Sequence, residues 1–300
     1  MIKNKFILGV GAQKAGTTYL FGGIRENKSM FSNCPKEMHL LDKLFSDSKQ
    51  SQIEKIEKEL KDTNISKKSR LQLKRQKEFI QNPESYFDFF ADQASNIGIT
   101  HVGESTPAYS TLNQEQLKYI RDNLKAKGFE IKIIFMLRDP FERVSSTCRM
   151  ALKREFKKDI KNLEAILQKD PYYLKQFISQ DQFEEKLKST YSNEFNKNRT
   201  CYEKTIENLQ NIFTDDEIFI DFFEDMFNDK FKLKISQFLE LDDLVLKTNK
   251  IRNITPKFEP IKESLKSEII NYYKNTYIYI KQKYPLKAIK CWKGSYEILN

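Results

Sequence analysis

The chain has only nine glycines in 300 residues, and five of them (Gly9, Gly11, Gly16, Gly22 and Gly23) fall within the first 23. Such clustering in a glycine-poor chain marks a backbone requirement. An apolar strand-like run over 5–10 leads into Gly11-Ala12-Gln13-Lys14-Ala15-Gly16-Thr17-Thr18, and a helix is predicted to begin near Thr17. Glycines let successive N–H groups turn inward around an anion, and the following helix N-terminus adds partial positive charge. Gly11 and Gly16 keep the GxxxxG spacing of a phosphate-cradling loop. The slot that should then hold lysine is Thr17, and the lysine stands inside the loop at Lys14. From there it reaches the end of a two-unit anhydride rather than a β- and γ-phosphate pair.

Further apolar runs at 99–104, 131–137 and 217–223 are rich in Val, Ile and Phe without clean alternation, which suits strands buried on both faces. Helical patterns separate them, at 112–126, 155–168, 203–213, 228–239 and 262–283. Alternating β and α segments imply an α/β fold: a doubly wound, mainly parallel, P-loop-like sheet flanked by helices. One domain over 1–300 fits this layout, with 43–98 as a charged helical insertion.

Three sets of reactive side chains stand out. Pro35-Lys36-Glu37-Met38-His39 offers a carboxylate and an imidazole two residues apart, and either could take a proton from an attacking group. Arg138, at the end of the run 131–137, can fork onto a phosphate, and Ser146, eight residues later on the next helix, can add a hydroxyl. Gly103-Glu104-Ser105-Thr106-Pro107-Ala108-Tyr109 closes the run 99–104. In open α/β sheets ligands bind outside the carboxyl ends of strands, so these segments are expected on one rim.

Gln13-Lys14-Ala15-Gly16-Thr17-Thr18 resembles the 5′-phosphosulfate loop of sulfotransferases that use 3′-phosphoadenosine-5′-phosphosulfate (PAPS), particularly the heparan-sulfate type and its bacterial carbohydrate relatives. Lys36-Glu37-Met38-His39-Leu40-Leu41 is similar to that family's Lys-Glu-x-His-Phe-Phe segment, and Arg138 with Ser146 to its 3′-phosphate signature. The resemblance implies sulfuryl transfer from PAPS, with PAP as product, to a hydroxyl or amine of a carbohydrate or small molecule. It implies Lys14, Ala15, Gly16, Thr17, Thr18, Arg138 and Ser146 as donor-binding residues, and Tyr202 beside the nucleotide. Lys14 also assists departure of the bridging oxygen; Glu37 is the base and His39 its orienting partner or substitute. Arg143 is expected to pair with a carboxylate. Family members of the heparan type carry lysine where this chain has Ser105. Weaker echoes are Phe222-Phe223-Glu224-Asp225-Met226 and a loop over 247–260 with Asn253, Pro256 and Pro260. The alternative is a nucleotide-dependent kinase with an unusual loop, which would need Mg²⁺ and ATP.

Formal net charge is +10, and 43–81 holds 11 Lys+Arg against 6 Asp+Glu, half of that excess. Aromatics do not interleave with this basic run, so it reads as a solvated helical face and no nucleic-acid partner is expected. No apolar run approaches the roughly 20 residues of a membrane span, and the first residues do not read as a signal peptide; a cytoplasmic protein is expected. Cys34, Cys148, Cys201 and Cys291 are read as reduced, buried thiols. With His39 and His101 the only histidines and no ligand spacing among these groups, no metal is expected.

Overall fold

The computed structural model describes residues 3–45, 49–242, 244–246 and 255–299. Four strands, β1 (Lys5–Gly11), β2 (His101–Ser105), β3 (Glu130–Leu137) and β4 (Ile218–Phe222), form one sheet in the order β2-β1-β3-β4. All neighbours are parallel, with Ile7 opposite Gly103, Leu8 opposite Ile133 and Leu137 opposite Phe222. Every residue of β1 and β2 is buried. Helices cover both faces, so neither needs a polar side, and the missing alternation follows.

The order of strands positions the site. The connection leaving β1 runs to β2 on one side, and the connection leaving β3 runs to β4 on the other. β1 and β3 are neighbours, so a crevice opens between their carboxyl ends, the usual ligand position in such sheets. The helix Thr17–Ile24 starts at this edge after β1, and the helix Pro140–Phe156 starts there after β3.

Two expected helices are placed differently. The helix expected over 155–168 is two elements, Pro140–Phe156 and Leu163–Lys169. The first begins as soon as β3 ends, because the Asp139 side chain accepts from the Glu142 N–H and Pro140 supplies a preset first turn. The run 262–283 breaks at Tyr273 into Glu263–Tyr272 and Lys274–Lys283. Of the loop expected over 247–260, Asn253 lies outside the described residues.

In the charged stretch, the described residues that the helices Lys49–Lys61 and Lys67–Gln81 bury are Ile56, Phe79 and Ile80. The helix Glu84–Ala94 is different. Its Tyr86, Phe87 and Phe90 are buried, and Phe90 meets the Phe6 ring of β1 edge-on at 4.9 Å. The 43–98 segment is therefore part core and part solvated arm. All four cysteines are free; Cys34 and Cys148 are buried, while Cys201 and Cys291 are half-buried. Among the described residues no helix is long and apolar enough to cross a membrane.

Gly103 lets β1 and β2 approach. Its φ is +140°, and a Cβ there would lie 2.0 Å from the Ile7 carbonyl oxygen. Gly103→Ala should lower unfolding free energy by ~4 kcal/mol or more, the range reached when backbone must move. Gly128→Ala, at φ +82° with open space around it, should lose only ~1–2 kcal/mol. Urea denaturation of the two variants checks this, and equal losses would refute the packing role.

Candidate active site

The loop after β1 is bent by two left-handed residues, Lys14 (φ 70°) and Gly16 (φ 74°). Gly16 is the N-cap of the helix that starts at Thr17, and no side chain caps that helix. Its first N–H groups have no intrahelical acceptor. They are left for an anion, with the hydroxyls of Thr17 and Thr18 beside them. The loop is tied to β3 twice: Ala12 N–H donates to the Met136 carbonyl (2.8 Å), and Arg138 Nη1 donates to the Lys14 carbonyl (2.8 Å). Residues 124 positions apart thus meet directly.

Arg138 is held from behind. Its guanidinium lies over the Phe223 ring at 4.7 Å, and its carbonyl accepts from the Tyr202 hydroxyl at 2.7 Å. The turn it opens is anchored through Asp139, whose buried carboxylate accepts from Tyr277 (2.9 Å) and Ser295 (2.6 Å) of the C-terminal helices. Ser146, two turns into the following helix, lines the same cavity of about 1080 Å³ as Lys14, Thr17, Thr18 and Arg138.

The segment carrying Glu37 and His39 is laced to the end of β2. Ser105 N–H donates to the Lys36 carbonyl (2.8 Å), Met38 N–H to Glu104 Oε2 (2.8 Å) and His39 N–H to Thr106 Oγ1 (3.4 Å). Leu40 and Leu41 N–H both reach the Tyr109 hydroxyl at 3.3 Å. Glu104 is the centre of this lacing. It is wholly buried and also accepts from the hydroxyls of Tyr86 (2.9 Å), Thr106 (2.5 Å) and Tyr109 (2.7 Å). Its carboxylate fixes the backbone on which the candidate base stands.

Glu37 and His39 line the same cavity as the loop. Lys36 Nζ lies 2.5 Å from Glu37 Oε1 and 3.4 Å from each of the Thr17 and Thr18 hydroxyls, so it spans the two motifs. His39 Nε2 is 3.4 Å from Glu37, and its Nδ1 is 3.3 Å from Asp42. Burial pushes the Glu37 carboxyl up, but the His39 hydrogen bond and the Lys36 charge outweigh it and bring it down to about 2. Hydrogen bonds donated to Asp42 and Glu37 raise His39 to about 9 against the effect of burial. Burial, with Arg138 and Arg149 nearby, lowers Lys14 to about 8.

Not every expected site residue reaches the cavity. Tyr202 is wholly buried and meets the site through its hydroxyl, which donates to the Arg138 carbonyl. Ala15 is buried too, and its N–H already donates to the Ala12 carbonyl. Arg143 has no carboxylate partner among the described residues. Its guanidinium is wholly buried beside the phenols of Tyr202 and Tyr273, and none of its nitrogens has a hydrogen-bond partner. The expected pairing is corrected because this side of the helix packs against aromatic residues rather than facing a carboxylate. Ser105 is buried against Gly9, where a Cβ would come within 2.3 Å of its hydroxyl.

Other groups join the site. Lys36, Asp42 and an aromatic rim of Tyr19, Phe227 and Phe223 have no role in the motifs read from sequence; the rim rings lie 5.1 and 5.5 Å apart in successive pairs. The Phe223/Phe227 spacing of four residues was the only sequence signal for the rim.

No protein-family model and no curated protein matches the chain. Solved structures do. The sulfotransferase from Alicyclobacillus acidocaldarius aligns with a TM-score of 0.53 at 16% identity, over 93% of this chain and 94% of that one. The sulfotransferase domain of the Synechococcus PCC 7002 olefin synthase aligns at 0.46 and 15% identity (91% and 96% covered), and that of the curacin biosynthetic pathway at 0.43 and 15% (91% and 98%). The first likeness shows that the chain has a sulfotransferase-type fold.

Glu104→Gln keeps the shape but puts an amide NH₂ against hydrogen-bond donors, leaving buried groups unsatisfied at ~1–3 kcal/mol each. Amide hydrogen exchange at Met38 and His39 should quicken at least ~10-fold, since 1.4 kcal/mol is a factor of ten, while the β3 amides keep their protection. Unchanged protection at Met38 would remove Glu104 from its anchoring role.

Proposed function

We propose that the chain transfers a sulfuryl group from PAPS to the hydroxyl or amine of an acceptor, a carbohydrate or a small molecule, with PAP as product. The observation that carries this reading is the Arg138–Lys14 contact. It joins the two segments expected to bind anions at one crevice, and a carboxylate–imidazole pair lines the same cavity. A donor with anionic groups at both ends of a nucleoside fits such a site. The buried, unpartnered Gln13 Oε1 and Tyr19 Oη at the cavity wall fit it as well. The Tyr19, Phe223 and Phe227 rings supply an apolar face for a base.

When bound, the donor supplies an activated sulfuryl group on a phosphosulfate anhydride. The uncapped helix end and the Thr17 and Thr18 hydroxyls hold the 5′ side of that anhydride, and Arg138 with Ser146 hold the 3′-phosphate. Lys14 places its ammonium where negative charge grows on the departing oxygen. Its lowered pKa makes the cation easier to lose above about pH 8 in the free protein, and donor anions restore it by favouring the charged form.

Glu37 takes the acceptor proton. Both of its oxygens are engaged, one by Lys36 and one by His39, and a carboxylate near pKa 2 is a weak base. Lys36 resolves this conflict. Its ammonium already lies 3.4 Å from the Thr17 and Thr18 hydroxyls, so an anion there draws its charge away from Glu37 Oε1 and raises the basicity of the carboxylate. Asp42 holds His39, and Glu37 and His39 titrate as a pair rather than singly.

With PAPS and a panel of alcohol, phenol and amine acceptors, PAP release should depend on the acceptor. Glu37→Gln should lower kcat by ~10²-fold or more, the scale of a general base, with PAP affinity nearly unchanged. Near-normal turnover in Glu37→Gln together with an inactive His39→Ala would transfer the base role to His39. Absence of acceptor-dependent PAP release with every acceptor class would count against the reading as a whole.

A further inference from the structure

Arg143 stands three residues before Ser146 on the helix Pro140–Phe156. Side chains at that spacing share a helix face, with Cβ atoms about 5–6 Å apart. Ser146 and, four residues further on, Met150 line the cavity. Arg143 continues their face one turn nearer to β3, but it is wholly buried and does not reach the cavity surface.

Its surroundings leave the charge unanswered. Among the described residues Nε, Nη1 and Nη2 of Arg143 have no hydrogen-bond partner. The phenols beside it, Tyr202 and Tyr273, donate elsewhere: Tyr202 to the Arg138 carbonyl (2.7 Å) and Tyr273 to the Tyr191 carbonyl (2.6 Å). Burial pushes both phenols up, so neither supplies a negative charge. A guanidinium does not release its proton in proteins, and the cation persists. Replacing a buried charge by an apolar side chain of similar volume is often neutral or stabilising. Packing therefore does not by itself call for an arginine here.

The adjoining edge of the cavity gives a reason for one. Tyr202 lies between two arginines, beside the Arg143 guanidinium and bonded to the Arg138 backbone. The field of Arg143 reaches the cavity wall, where burial first and then Arg143 lower the Arg199 guanidinium to about 10. In the low dielectric of a protein interior opposite charges attract well beyond contact distance, and salt screens a buried charge much less than a surface one. A phosphate monoester is close to doubly charged at neutral pH, so it gains from such a field more than a neutral ribose hydroxyl does.

We infer that Arg143 is a buried supporting charge for the donor: without touching the ligand, it keeps the pocket at Arg138 and Ser146 positive and so strengthens binding of the 3′-phosphate. The inference rests on the proposed donor reading. It adds a residue that sets donor selectivity from behind the pocket, and it accounts for a charge that the fold leaves unpaired.

The test separates the two readings. PAP and AMP are first titrated into wild type by calorimetry at one ionic strength, which tests the donor reading alone. Arg143→Met then removes the charge and keeps most of the volume. It should lower PAP affinity at least ~10-fold, equivalent to 1.4 kcal/mol, with AMP affinity within about two-fold of wild type. Arg143→Lys returns the charge and should recover most of the preference for PAP. Tyr273→Phe alters the packing beside the guanidinium without changing the charge, and its PAP affinity should stay within about two-fold of wild type.

Equal losses of PAP and AMP affinity in Arg143→Met would reduce Arg143 to packing and overturn the inference. A loss of PAP preference in Tyr273→Phe as large as that in Arg143→Met would do the same. If Arg143→Met does not fold, Arg143→Lys decides: a preference for PAP close to that of wild type supports the role of the charge, and a folded Lys variant without it overturns that role. If PAP fails to bind wild type, the donor reading falls on that step and takes the inference with it, before any variant is compared.

Discussion

Where β1 and β3 end side by side, the Arg138 guanidinium donates to the Lys14 carbonyl. This hydrogen bond closes the crevice created by connections leaving in opposite directions. Without it, the glycine-bent loop would be tied to β3 only by Ala12. Most other groups of the site support one side of this contact. Tyr202, Phe223 and the Asp139–Tyr277–Ser295 cluster brace the arginine, so the C-terminal helices reach the ligand edge without entering the cavity. Glu104 does the corresponding work for the segment carrying Glu37 and His39, through the Met38 N–H and the buried hydroxyls of Tyr86 and Tyr109 rather than through groups in the cavity.

Electrostatic conflict is concentrated around the same crevice. Arg143 is buried without a hydrogen-bond partner, Lys14 is pressed by neighbouring cations, and Glu37 is held between Lys36 and His39. An unpaired buried charge is unfavourable. In the proposed donor site, anions at the loop and at Arg138 would relieve the repulsion, which would couple ligand binding to fold stability. Under the proposed function the same event would free Glu37 as the base, because Lys36, which restrains it, also lies beside the Thr17 and Thr18 hydroxyls.

Much of this was legible in the sequence, for identifiable reasons. The four strands announced themselves because burial on both faces leaves runs of Val, Ile and Phe. The loop announced itself because few residues other than glycine adopt its left-handed turns readily. Lys14, Glu37 and Arg138 follow from their positions beside those elements. Helix faces were harder to read. Whether Arg149 or Arg143 turns toward the cavity depends on how Pro140–Phe156 packs, and the first lines the site while the second is sealed among tyrosines. Tyr202 was placed beside the nucleotide, but it is buried behind Arg138. The aromatic rim joins Tyr19 to Phe223 and Phe227, some 200 residues later, and only tertiary structure brings them together.

The central claim is that two phosphate-binding segments distant in sequence form one donor site. Calorimetric titration of PAP and AMP into wild type and Arg138→Ala, at one ionic strength, tests it most directly, because the two ligands differ only in the 3′-phosphate. A charge-assisted hydrogen bond contributes ~1.5–3 kcal/mol, so Arg138 with Ser146 should give roughly 100-fold preference for PAP. Arg138→Ala should lose most of that preference by weakening PAP binding, with AMP affinity little changed. Equal affinity of the wild-type protein for PAP and AMP would contradict the claim.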